Sequence, residues 1–122
     1  MTETLFKLRC SLAQCKSMKV ITPSAGYTAG QMTKVGDTVG VIVETKTIGQ
    51  EAVLVYSAPK IVVAKRVGTS YVFAVGSKVY YRSGGPDVSS DPTSNVLCGR
   101  ANEIALGTDD SVEITLNGDV VA

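Results

Sequence analysis

The sequence predicts an all-β fold, and three observations predict it. Short runs rich in Val, Ile, Thr and Tyr recur through most of the chain. Glycine-containing turns separate them, as in Gly36-Asp37, Gly76-Ser77 and Gly84-Gly85-Pro86-Asp87. No helical pattern of 10–15 residues intervenes, as alternating strand–helix units would require. The chain has 122 residues, enough for one domain and one modest core.

Taken in order, residues 1–19 form a candidate arm with two periodicities. Phe6, Leu8, Cys10 and Leu12 alternate with Lys7, Arg9 and Ser11, as a strand would. Leu5, Leu8, Leu12 and Cys15 also fit helical spacing, so the arm is read as ordered against a partner, helical or extended. Residues 20–122 form a single β-rich domain. Candidate strands are 19–22, 31–34, 38–44, 52–56, 60–64, 78–82, 96–101 and 111–116. In the run 38–44, Val39, Val41 and Val43 oppose Gly40, Ile42 and Glu44, which predicts a strand buried on one face and partly covered on the other. Residues 101–106 allow one short helical insertion. Residues 83–95, polar and rich in Ser, Pro and Asp, read as a surface loop rather than a domain linker. Val35-Gly36-Asp37-Thr38-Val39 and Val75-Gly76-Ser77-Lys78-Val79 share one pattern, which fits either equivalent starts of two strands or simply common turn chemistry.

Composition narrows the chemistry. The chain contains no histidine, which removes the usual neutral-pH general base and imidazole metal ligand. Ser/His/Asp and Cys/His catalysis cannot be assembled from it, and no phosphate loop or dinucleotide fingerprint is present. The expectation is a non-enzyme with no cofactor and no metal. Cys10, Cys15 and Cys98 are an odd set without a Cys-x-x-Cys pair, as expected of reduced thiols in a protein made in a cytosol. No apolar run reaches the 18 to 20 residues a membrane helix needs, and no signal peptide is read.

The net charge of +1 hides a polarity. Residues 1–82 carry 11 Lys/Arg against 4 Asp/Glu, and residues 83–122 carry 1 against 7. Such a chain can present opposite charge to neighbouring copies, or interleave its halves on folding. Asp109, Asp110 and Glu113 lack the ordered series of oxygen ligands of a calcium loop and read as solvated turn acids. Lys60, Lys65, Arg66, Lys78 and Arg82 interleave with Tyr56, Tyr71, Phe73, Tyr80 and Tyr81. That mixture suits either single-stranded nucleic acid or cross-strand packing. An isoelectric point near 7.7 disfavours direct nucleic-acid binding.

Residues 29–116 resemble a known family. The stretches that carry the resemblance are Gly30-Gln31-Met32, Val35-Gly36, Gly40-Val41-Ile42, Val75-Gly76-Ser77-Lys78-Val79-Tyr80-Tyr81, Asn95-Val96-Leu97-Cys98-Gly99-Arg100-Ala101 and Val112-Glu113-Ile114-Thr115-Leu116-Asn117-Gly118. In this order and spacing they are similar to the small cement, decoration or head-stabilisation proteins of tailed phages. The resemblance implies a non-enzymatic protein on the outer surface of the expanded head, made in the host cytoplasm and bound to the major capsid protein. It implies self-association, with a homotrimer at threefold or quasi-threefold positions. The fold read beside it is a compact β-barrel or β-tulip-like body with an extended N-terminal arm, or else a small β-sandwich.

Carried onto this chain, the candidate capsid-contact arm comprises Leu5, Phe6, Lys7, Leu8, Arg9, Leu12, Lys16 and Lys19. Candidate subunit-contact charges are Lys65, Arg66, Asp109 and Asp110. The segment before Pro23 is longer and more basic than the usual opening of that family. The alternative function is a β-barrel adaptor or nucleic-acid-binding module, which would bind isolated DNA or RNA in a salt-sensitive way.

Overall fold

Val39 and Val79 close the two related Val-Gly-x-x-Val segments, and both side chains are fully buried. Gly36 and Gly76 take positive φ values of 61° and 86°, a backbone region that glycine enters at little cost. Each turn releases the chain into a strand whose apolar side chains face the core. The computed structural model describes residues 7–8, 14–36, 38–84, 86–93 and 95–118, and all nine elements among them are strands. They are β1 (Lys7–Leu8), β2 (Lys16–Ile21), β3 (Met32–Val35), β4 (Thr38–Ile42), β5 (Glu51–Ala64), β6 (Lys78–Arg82), β7 (Asp87–Ser89), β8 (Val96–Ala101) and β9 (Ser111–Asn117).

One antiparallel sheet contains them all, in the order β3-β4-β5-β9-β8-β6-β7, with β1 and β2 also pairing with β5. The 14 residues of β5, about 45 Å of extended chain, organise the molecule. Val55 faces Ser17 of β2 and Val41 of β4, while Val62 faces Lys7 of β1 and Glu113 of β9. So β1 and β2 run along one edge of β5, and β4 and β9 share the other. The sheet curls into a nearly closed barrel. At the seam, the Arg66 amide donates to the Val88 carbonyl at 2.8 Å, beside a parallel bridge between Lys65 and Val88.

The barrel interior holds Ile61, Val63, Phe73, Val79, Val88, Cys98, Val112, Ile114 and Leu116. A smaller cluster of Val20, Tyr27, Ile42, Ala52 and Leu54 lies on the other face of β4 and the first half of β5. Both faces of β4 are therefore buried, which goes beyond the partial cover that its sequence predicts. Each fully buried Val, Leu or Ile contributes about 1.5–3 kcal/mol over its exposed state.

Three local expectations are corrected. The predicted strands 52–56 and 60–64 are a single strand. Pro59 interrupts the local pattern, but a bulge between Ala58 and Ile61 absorbs it, leaving the strand continuous. The polar segment 83–95 contains β7, which pairs with β6 and carries Val88, fully buried in the seam. Residues 101–106 form no helix: after β8 the chain bends, then Ala105 bridges antiparallel to Phe73. Hydrogen bonds of Ala105 with Phe73, of Asn102 with Glu113 and of Ala101 with Gly76 and Ser77 satisfy the backbone there instead.

Candidate functional site

The β1/β2 edge holds the described parts of the predicted arm. β1 pairs Lys7 with Val62 and Leu8 with Ile61, so this part of the arm is extended and lies on the chain's own body. β2 begins at Lys16, making Lys16 and Lys19 part of the sheet. Both are exposed, and the Lys19 ammonium is 3.8 Å from the Glu51 carboxylate, a loose surface pair. Leu5, Phe6, Arg9 and Leu12 lie outside the described residues.

The four predicted subunit-contact charges come together at the far end of β5. The Lys65 amide donates to the Asp110 carbonyl at 2.9 Å. The Lys65 side chain is buried, and its ammonium donates to the main-chain carbonyls of Arg66 (2.8 Å) and Asp109 (3.2 Å). Burial lowers its pKa from the ordinary lysine value, opposed by the charges of Asp109 and Asp87. Lys65 therefore ties two turns together. Arg66 stacks over the Tyr71 ring, with its guanidinium carbon 3.9 Å from the centroid. Asp109 and Asp110 are exposed.

Much of the basic–aromatic set is used internally. Phe73 and Tyr81 are core residues. Arg82 makes a two-pronged pair with Asp87, Nε to Oδ1 at 2.9 Å and Nη2 to Oδ2 at 2.7 Å. Lys60 and Lys78 remain exposed, and Tyr56 and Tyr80 are half-buried.

Sequence reasoning missed a shallow groove of about 580 Å³ on the outer side of the barrel, lined by Val75, Leu97, Gly99, Arg100, Asn102 and Thr115 among others. Gly99 forms its floor because a Cβ there would run into the Thr115 carbonyl oxygen. At one wall the Pro59 carbonyl accepts from Asn102 Nδ2 at 3.1 Å, and the Thr115 hydroxyl lies 3.0 Å from it and 2.9 Å from Asn102 Oδ1. The lone glycine in the run 96–101 is the one sequence signal that marked this place. Among the described residues no three His, Cys, Asp or Glu side chains gather as a metal site. The surfaces offer extended backbone edges, apolar side chains and fixed charges, which are the means of binding a protein partner.

The model of the phage cement protein family matches residues 13–116. The chain belongs to that family. Neither the curated proteins nor the solved structures contain a match. Membership gives this cement-family protein a structural role associated with the phage capsid. It also fits the geometry, in which the polar groups are spent on holding turns and strands in place. The match starts at residue 13, ahead of β2, and runs through nearly all of β9, so it covers the complete sheet except β1.

Proposed function

We propose that this protein decorates the outer surface of the expanded phage head and stabilises contacts between major capsid protein subunits, without catalysis. The observation that carries this reading is the family match across residues 13–116. A head expanding around its DNA becomes a thinner shell. A protein that binds the expanded lattice and not its precursor stabilises the expanded form by linkage.

In this reading residues 1–19 supply the lattice contact. Leu5, Phe6, Arg9 and Leu12 lie along major capsid protein. Lys7 and Leu8 of β1 are paired with β5 on one side and offer their other side to it, and Lys16 and Lys19 continue the basic edge. An extended segment offers backbone hydrogen bonds for affinity and alternate side chains for pockets, the usual logic of strand addition. The placement of β1 and β2 at one sheet edge supports this role, since an edge strand keeps one row of backbone groups for a partner. Copies associate with one another, as a homotrimer at threefold or quasi-threefold positions, through charges that include Arg66, Asp109 and Asp110. Lys65 supports them from beneath by holding the Asp109 turn.

The test is decoration by a chain lacking residues 2–13, which retains all of β2. The truncated protein should keep a cooperative thermal transition and lose binding to expanded heads in a co-sedimentation assay. A cryo-electron-microscopy map of heads decorated by the full chain should place density outside the shell, with the arm on major capsid protein. Full occupancy by the truncated protein, or density inside the shell, contradicts the reading.

A further inference from the structure

Residues 72–78 and 100–106 run side by side as an antiparallel ribbon on the wall of the barrel. The facing pairs Phe73–Ala105 and Lys78–Arg100 are five residues apart on both segments, so the two keep step across the intervening turn. Phe73, Ala105, Ala101 and Val79 are buried on the inner side. By alternation the outer side carries Val72, Leu106 and Ile104 at one end, and these are 49%, 59% and 68% exposed. Three neighbouring large apolar side chains left in water on one face are a feature of interaction surfaces.

The charges on this ribbon are arranged unusually. Lys78 and Arg100 face each other directly across β6 and β8, and both are exposed. Like charges in directly opposed positions destabilise a sheet unless a counter-charge is supplied. Neither side chain belongs to an ion pair among the described residues. At the apolar end the sign reverses. Exposed Glu103, whose carboxylate accepts the Glu113 amide at 2.8 Å, precedes Ile104, and the turn after Leu106 carries exposed Asp109 and Asp110. Asp109 Oδ2 accepts the Leu106 amide at 2.8 Å, which fixes that turn against the ribbon. The ribbon thus has an apolar end bordered by acidic side chains and a dibasic end next to the groove.

We propose that this ribbon face is the contact between copies of the chain, with the acidic apolar end of one copy seated on the Lys78–Arg100 end of the next. Charge complementarity selects a second copy as the occupant, because each copy supplies the counter-charge that its neighbour lacks. The contact covers Val72, Ile104 and Leu106 and removes the like-charge conflict between β6 and β8. It also lets each copy give one end and receive another, as a closed ring requires. The inference rests on the decoration reading in naming the self-association surface of the same protein.

The experiment uses the full chain in solution and on expanded heads. A carbodiimide joins a lysine amine to a carboxylate in direct contact, and mixing ¹⁴N and ¹⁵N protein distinguishes links between copies from links within one. Intermolecular peptides joining Lys78 to Glu103 or Asp110 are expected. Lys78→Glu with Arg100→Glu should weaken self-association at least about tenfold, as should Glu103→Lys with Asp110→Lys. All four changes in one chain should restore it, and thermal melts check that each variant folds. Absence of those intermolecular links both in solution and on heads overturns the proposal, as does a folded four-fold variant that stays dissociated. Normal decoration without the links would overturn this contact and leave the decoration reading standing. Charge-swap rescue by a protein that never binds heads would do the reverse.

Discussion

Cys98 illustrates how one residue's environment decides its chemistry. It sits on β8 with its side chain wholly inside the barrel, and burial pushes its thiol pKa from 9.0 up to about 12. A thiol held neutral in this way is a core side chain rather than a nucleophile. Its raised pKa is also a stability statement. The unfolded chain gives up the proton near pH 9 and the folded chain keeps it to about 12. The contribution is therefore complete below pH 9 and is lost as pH rises through that window, at about 1.4 kcal/mol per pH unit. Burial raises the Tyr81 pKa and acts with the same sign, whereas burial lowers that of Lys65 and acts with the opposite sign. Comparison with Cys98→Ala isolates the thiol. Denaturant melts from pH 8 to 11 should show the wild-type advantage over the variant shrinking as pH rises, and parallel curves would contradict it. The sequence made Cys98 recognisable as part of a strand. It could not show that Lys65 is buried, because that follows from where the Asp109 turn lands.

At the scale of elements, the β6–β7 hairpin holds the seam of the barrel. β7 has three residues and a single large apolar side chain, Val88, so its own burial is too slight to place it. The fork between Arg82 and Asp87 fixes its first residue to the end of β6. Hydrogen bonds of that charged kind contribute about 1.5–3 kcal/mol. Arg82→Ala should cost about 2 kcal/mol in denaturant unfolding, and Arg82→Lys less, because it keeps the charge and loses the planar fork. In hydrogen exchange the Arg66 amide, which donates to Val88, should lose protection more than the amides of β9 do. Uniform loss of protection would contradict the view that the pair serves the seam. The elements legible in the sequence were those whose signals are local. β4, β6, β8 and β9 combine alternation with a turn at their start. β7 escaped because Val88 is the lone large apolar residue in a run of Gly, Pro, Asp and Ser, and the ribbon of residues 72–78 with 100–106 escaped because its two sides are distant in sequence. The two-part reading of β5 failed for the same reason, since β9 pairs with Ser57 and Ala58 and again with Ile61–Ala64 and so carries the strand past Pro59.

For the whole molecule, the polarity of the sequence is partly cancelled and partly kept. β9, from the acidic half, is inserted between β5 and β8, so the two halves of the chain share one sheet. What survives is the contrast along the ribbon, where Lys78 and Arg100 stand apart from Glu103, Asp109 and Asp110. A protein repeated over a shell can use such a contrast at every copy, and small contributions then multiply. Linkage makes the consequence quantitative. A ligand that binds one state alone stabilises it by about 2.7 kcal/mol per site when present at one hundred times its dissociation constant, and each further tenfold adds about 1.4 kcal/mol. Expanded heads mixed with increasing protein should therefore resist heat disruption to a temperature that rises with the logarithm of free protein. Light scattering or dye access to the packaged DNA measures it. Unexpanded heads should show no shift, because the reading requires a lattice that exists only after expansion. Equal protection of both forms would mean that the protein binds a surface common to them, and the coupling to expansion would be wrong.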